Sequence, residues 1–318
     1  MDFLYSVFAD PFVQMVSLPD FFVQVLWEGF VSGVLYSLIA LGFVLIFKAS
    51  GVFNFAQGIM VVFAALAMVG MYELGVPGWL SVILALVIMY GLAYSVERFV
   101  MRPLVGQDDI ILFMATIGLT FILIGGGQAI FGGAPKAMLT SEIGLPSGDY
   151  VWEMGGGIVI FQKLDIAATL IAGALIAGLA FFFSYTKIGR ALRAVADDHQ
   201  AAVSVGIGLN QIWVVVWFAA GIVALVTGIM WGAKSDVSFA LQIVALKALP
   251  VLVLGGFTSI PGAIVGGLII GIGEKIFEIY WGGLMGGGVE SWFAFIIALI
   301  FLLFRPQGLF GDKIIERV

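Results

Sequence analysis

The feature that most constrains this chain is its set of long, uncharged apolar runs, of which "GVLYSLIALGFVLIF" (Gly33–Phe47) is one. A run that is apolar on every face has no side to offer to water, and the longer ones approach the ~20 residues that carry a helix across a hydrocarbon core. Barrel strands alternate polar and apolar over about ten residues, so these runs do not fit a β-barrel. Composition agrees: 62% of the residues are hydrophobic and 11% charged, against roughly 45–50% and 25% in an ordinary soluble domain. The reading is an all-α polytopic membrane helix bundle, with 1–318 as a single transmembrane domain.

Candidate spans fall at 27–47, 58–72, 79–97, 110–131, 165–185, 212–231, 243–257, 262–280 and 291–304. The runs at 58–72, 243–257 and 291–304 are short, which leaves open eight crossings plus a re-entrant piece in place of nine. Two related halves are also left open. The 43 glycines suit broken helices and close helix packing in lipid. Basic residues accumulate in short cytoplasmic loops. Threading nine spans on that rule puts Lys48, Arg98, Arg102, Lys187, Arg190, Arg193, Arg305, Lys313 and Arg317 inside, and Lys136, Lys163 and Lys234 outside. The expected orientation is N-terminus outside and C-terminus cytoplasmic. The first twenty residues hold no lysine or arginine, so they lack the basic region of a cleavable signal and are read as retained.

With no cysteine and a lone His199, a disulfide, a thiolate site or a clustered zinc site is not expected. The net charge of −6 comes without a basic block, which sets nucleic-acid binding aside. The chain has no G-x-x-x-x-G-K-[ST] loop, so any ATP is burned by another chain. The Gly-rich stretch "FGGAPKAMLTSEIGLPSGDYVWEMGGGIVIFQKL" reads as a surface excursion of loops with room for a short strand, a plain connector in preference to a docking surface for an external partner.

Two breaks cut the apolar pattern, "SGVFNFAQG" (Ser50–Gly58) and "GGFTSIPGAIVGG" (Gly255–Gly267). Non-helical backbone at membrane depth survives only inside protein or along a wet cavity, and paired breaks mark the solute path in repeat-built transporters. Asn54, Gln57, Gly58, Thr258 and Ser259 are therefore candidates for a translocation path lined by neutral groups. Simple turns between short helices fit the breaks equally well. No carboxylate is placed as a proton relay, and Lys275 with Glu278 is expected to pair at i,i+3.

The most hydrophilic stretch is "GRALRAVADDHQAAVSVGI" (Gly189–Ile207). As a helix it places Arg190, Arg193, Asp197, Gln200 and Ser204 in one stripe and Leu192, Val195, His199, Ala202 and Val203 beside it. Such a helix either lies on the membrane or serves as a handle for a soluble partner.

In order along the chain, "GVFNFAQG", "MRPL" (Met101–Leu104), "ATIGLTFIL", the hydrophilic loop, "VLGGFTSIPGAIVGG" and "FRPQGLFG" resemble the H-type permease subunits of branched-chain amino acid ABC importers over nearly the full length. The Asn-Phe-Ala turn favours the H-type over the paired M-type, and Gln57 stands where that family more often has histidine, which removes a titratable group there. The resemblance implies an ATPase-coupling loop at about 187–210, with Gly189, Arg190, Leu192, Arg193, Ala194, Asp197, Ala201 and Gly206 as its site residues. It implies two cytoplasmic ATPases using ATP and magnesium, an M-type permease partner in a heterodimer, and an external or periplasmic substrate-binding protein. No cofactor, metal or catalytic residue belongs to the chain itself on this reading, and its place is the bacterial cytoplasmic (inner) membrane. The cargo implied is a branched-chain amino acid, with urea, short amides or aromatic acids as alternatives. A stand-alone secondary transporter or channel is the rival from another class.

Overall fold

The computed structural model describes Tyr5, residues 7–197 and residues 199–311, with backbone alone at 197 and 199–201. A short helix α1 (Asp10–Ser17) leads into α2 (Pro19–Ser50), whose 32 residues extend about 48 Å at 1.5 Å per residue, beyond a ~30 Å hydrocarbon core. Gly51 ends α2 in the left-handed region (φ 72°), where its N–H donates to Phe47 O at 2.8 Å. A side chain there would be strained, which is why glycine closes so many helices.

After the first break come α3 (Gln57–Glu73), α4 (Gly78–Val96) and α5 (Asp109–Phe131). A π-helical turn over Glu97–Met101 prolongs α4, and the carboxylate of Glu97, fully buried, is held by Arg102 Nε and Nη2 at 3.0 and 3.1 Å. The "MRPL" step is thus a charge-satisfied helix end.

The Gly-rich excursion folds into an antiparallel hairpin, β1 (Asp149–Met154) with β2 (Gly157–Gln162), in the register Asp149↔Gln162 to Met154↔Gly157. Gly155 and Gly156 turn it with φ of 65° and 92°, values that a two-residue primed turn requires. Helix α6 (Lys163–Tyr185) follows, then α7 (Lys187–Asp197), α8 (His199–Ser204) and α9 (Leu209–Ser235).

The run read as one span at 243–257 is two helices, α10 (Leu241–Leu246) and α11 (Ala248–Gly255), joined at Lys247. Pro250 explains the joint: its ring has no N–H and crowds the carbonyl four residues back, at Leu246, where α10 stops. The chain ends in α12 (Ile260–Trp281) and α13 (Phe293–Phe304). Among the described residues six helices are long and apolar enough to cross a membrane, and three shorter apolar segments fill the remaining expected spans.

All these runs are apolar, yet they take different places. The apolar stretch of α2 is 83% buried and that of α9 72%, whereas α4 and α6 bury 28% and 22%. Small residues decide this. Gly29, Gly33 and Ser37 recur every four residues on α2 and meet Gly267 and Gly271 of α12. A Cβ at Gly33 would stand 2.9 Å from Gly267 O and from Leu268 Cα, and one at Gly29 would stand 2.7 Å from Ile272 Cα. The two backbones therefore touch, as small residues at four-residue spacing allow in lipid. Helices such as α4, with Trp79, Ile83 and Val87 turned outward, form the periphery.

Candidate functional site

The α2–α12 crossing builds one wall of a cavity of about 510 Å³. From α2 it receives Gln24, Glu28, Ser32 and Tyr36, a four-residue spacing that keeps them on one helix face. Asp165 enters from the start of α6, and Trp231 and Lys234 from the last turns of α9. The α10–α11 joint supplies Lys247, α12 supplies Glu274 and Lys275, and β2 closes the side with Ile160 and Gln162. The hairpin is fastened there by Gln24, whose Oε1 accepts from Ile160 N–H at 2.8 Å, and by Trp27 against Phe161, with ring centroids 5.2 Å apart.

The lining is charged. Lys247 Nζ lies 2.8 Å from Glu274 Oε1 and 3.9 Å from Glu290 Oε1, while Lys275 Nζ meets Glu290 Oε2 at 3.2 Å. On the opposite wall Lys234 Nζ donates to Asp165 Oδ1 at 2.6 Å. Tyr36 joins the two sides: its hydroxyl donates to Glu274 Oε1 at 3.2 Å and its ring stacks on Trp231 at 5.6 Å. Charges this deep persist because each Lys has a carboxylate partner, the condition for burying ions away from water. The expected Lys275–Glu278 pair does not form. Lys275 turns to Glu290, and Glu278 accepts instead from the backbone N–H groups of Gly288 and Glu290 at 3.1 and 2.8 Å. The glycine-rich turn after α12 offers unpaired N–H donors there, which an i,i+3 count along one helix does not see.

At the far end of α2 the two sequence breaks meet. Phe53 stacks on Phe43 at 4.8 Å and contacts Phe257 at 6.5 Å, and Phe257 also contacts Phe47 at 5.4 Å. Asn54 and Gln57 are fully buried. Asn54 Oδ1 accepts from Ala56 N–H at 3.1 Å, and Gln57 Nε2 donates to Ala220 O at 3.3 Å. Ser259 caps α12 by accepting from Gly262 N–H at 3.1 Å. Gly58 is buried against α10, where a Cβ would stand 3.3 Å from Ala245 Cβ. Thr258 lies beside Ser259 in the second break, and none of these five residues lines the cavity. The "FRPQGLFG" tail folds over this end: Leu309 and Phe310 N–H donate to Leu254 O and Gly255 O at 2.8 and 3.1 Å.

The hydrophilic stretch also lies beyond the break end of the long helices. Leu192 and Val195 of α7 and Ala202 of α8 are buried in the bundle core, so these three residues of the apolar stripe are packed on protein, whereas Val203 is exposed and the side chain of His199 falls outside the described residues. Gly189 is buried, and a Cβ there would collide with Phe183 O of α6. Arg193 Nη1 and Nη2 donate to Phe183 O and Ser184 O at 2.7 and 3.2 Å, satisfying carbonyls that the end of α6 leaves free. Arg190 is exposed, Ala194 is half-buried, and Gly206 turns out of α8 with φ 86°. Asp197 and Ala201 lie on these helices, but their side chains fall outside the described residues.

The family described as "Branched-chain amino acid transport system / permease component" matches residues 25–304. The chain belongs to this family. Among its relatives, the high-affinity branched-chain amino acid transport system permease protein BraD of Pseudomonas aeruginosa is 28% identical over 312 residues, covering 93% of this chain and 98% of BraD. The corresponding LivH protein of Escherichia coli strain K12 is 28% identical over 313 residues, covering 94% of this chain and 98% of LivH. Among solved structures, PsaBC from Streptococcus pneumoniae in complex with Fab covers 94% of this chain and 96% of its own, with 13% identity and a TM-score of 0.48, too slight a likeness to carry an argument.

The chain is thus a multi-pass permease component of an ABC transport system, placed in the inner membrane by its family and its apolar helices. Sequence reading located this permease's hydrophilic helix and its breaks but missed the charged cavity. Its residues are scattered from Gln24 to Glu290, and no linear motif joins them. One signal was present: Lys247 sits inside an apolar run three residues before a proline, and an ionisable group at such a place needs a partner.

Proposed function

We propose that this permease is the H-type subunit of an ATP-driven importer of branched-chain amino acids, with the cavity open to the outside and α7–α8 in the cytoplasm. In this orientation the N-terminus is outside, the C-terminus is cytoplasmic, and the basic residues of α7 lie on the positive side. The observation that carries the reading is that the cavity and the α7–α8 pair stand at opposite ends of the same two helices. Helix α6 begins at the cavity with Asp165 and ends one residue before α7, while α9 starts after α8 and ends at the cavity with Lys234.

Two fastenings make a frame of them. The Asp165–Lys234 bridge joins α6 to α9 at the cavity, and Arg193 ties α7 to the last carbonyls of α6. Displacement of α7 by a cytoplasmic ATPase is therefore delivered to α6 as a lever movement, and through the bridge to the cavity wall. Two such ATPases supply ATP and magnesium chemistry, an M-type permease completes the membrane unit, and an external binding protein delivers the solute. The phenylalanine cluster of Phe43, Phe47, Phe53 and Phe257 closes the inner end in this state. Transport then requires the two breaks to part.

The strongly charged cavity lining, with its surplus carboxylate, supports a cargo that carries an ammonium group over neutral urea or a short amide. The test is to purify the chain from its native membrane in mild detergent, identify its companions, and measure ATP-dependent L-leucine uptake by the reconstituted assembly. Copurification of two ATPases and a second permease, with ATP-dependent uptake, is expected. A chain that arrives alone and moves solute without ATP refutes the proposal.

A further inference from the structure

Charge in the cavity does not balance. Four carboxylates line it (Glu28, Asp165, Glu274, Glu290) against three ammonium groups (Lys234, Lys247, Lys275), an excess of one negative charge. The lysines are engaged with Asp165, Glu274 and Glu290, so the unmatched carboxylate is Glu28. It has no cationic partner among the described residues, and Gln24 Nε2 steadies it by donating to Oε1 at 3.0 Å. The same Gln24 is pinned by the hairpin through Ile160 N–H, so the unmatched carboxylate is held in place.

A second unmet acceptor lies deeper. Glu274 is 2% exposed, and while its Oε1 receives both Lys247 and Tyr36, its Oε2 has no hydrogen-bond partner. A buried carboxylate oxygen without a donor is costly, and a positively charged donor is the group that relieves it best. Glu28 and Tyr36 are eight residues apart on one face of α2, about 12 Å along the axis, with Ser32 between them and Glu274 at the deep end.

We infer that this wall is a subsite for the ammonium group of an α-amino acid, received at Glu28 on the cavity surface, with the closed-over Oε2 of Glu274 at its deep end. The inference rests on the importer reading above and adds to it which end of the cargo the permease reads. The cavity volume, about 510 Å³, lies within the ~300–1,000 Å³ usual for small-molecule sites.

The experiment uses the assembled importer in lipid nanodiscs without its binding protein and follows ligands by saturation-transfer NMR. The probes are L-leucine, L-leucinamide, which keeps the ammonium group alone, and 4-methylpentanoate, which keeps the carboxylate alone. Leucine and leucinamide are expected to bind about tenfold more tightly than 4-methylpentanoate, the worth of one charged hydrogen bond. Glu28→Gln is expected to remove most of that advantage while leaving 4-methylpentanoate within about twofold, inside the effect of an ordinary surface change.

A structural lesion would weaken all three probes together, and that result overturns the inference, as does a wild-type complex that binds the two single-charge probes alike. Should Glu28→Gln fail to assemble, Glu28→Asp keeps the charge and draws it back. An ammonium preference unchanged in Glu28→Asp also counts against the site. ATP-driven leucine uptake by the same wild-type complex, reconstituted into liposomes together with its binding protein, is measured in parallel. Uptake without the ammonium preference sinks the subsite and leaves the importer standing, and the preference without leucine uptake does the reverse.

Discussion

Replacing Lys247 with Met leaves Glu274 buried with its charge uncompensated. The pair is 2.8 Å apart, with side-chain exposures of 13% and 2%, a separation worth about 6 kcal/mol of direct attraction at an effective dielectric constant of ~20. Desolvation of both ions offsets part of this, and the net cost of removing one partner of such a pair is about 3–5 kcal/mol. Tyr36 still donates to Glu274 in that variant, which places Lys247→Met toward the lower end. Adding Glu274→Gln removes the stranded charge and keeps an acceptor for Tyr36, so the double variant should recover about 2 kcal/mol or more of the loss. The assay is unfolding of the full chain in mixed micelles by titration with sodium dodecyl sulfate, read by tryptophan fluorescence. Equal losses in the single and double variants would refute the reasoning, since a stranded charge could not then be the source of the cost.

Three further outcomes follow from the same geometry. Gly33→Val should part α2 from α12 at the point where a Cβ already meets Gly267 O at 2.9 Å, costing about 1–3 kcal/mol as overpacking does, measured by the same titration; Ala at Gly118, which has open space, is the near-neutral control. Arg190→Glu should lower transport-coupled ATPase activity with stability unchanged, because Arg190 is exposed, whereas Arg193→Glu should also destabilise, because it strips the cap from Phe183 O and Ser184 O; loss of stability in both would detach α7 from a docking role. Single cysteines at Ser147 and Lys187, both exposed on a cysteine-free background, should label from outside and inside respectively in intact cells, and the reverse pattern would invert the proposed orientation.

The sequence by itself determined the membrane class and the approximate places of the long apolar helices, because uninterrupted apolar length is a local property and a bilayer admits few ways to satisfy the backbone within it; it did not show that 243–257 is broken at Lys247 or that α2 begins as early as Pro19. It also marked the hydrophilic α7–α8 pair, whose stripe of Leu192 and Val195 against Arg190 and Arg193 is visible in one stretch of residues, and both breaks, where glycine and uncharged polar groups interrupt the pattern. Tertiary structure decided which apolar helix is central, because helices equally greasy on all sides are sorted by how closely small residues such as Gly33 and Gly271 let backbones approach. It also decided the ion partners. Lys275 has Glu278 within reach along its own helix, yet it pairs with Glu290 because a turn folds back beside it and claims Glu278 for backbone donors. The cavity belongs to the same class of fact: Glu28, Asp165, Lys247 and Glu274 become neighbours only when α2, α6, α10, α11 and α12 are packed, and Coulomb energy depends on distance in space, which spacing along the chain does not fix.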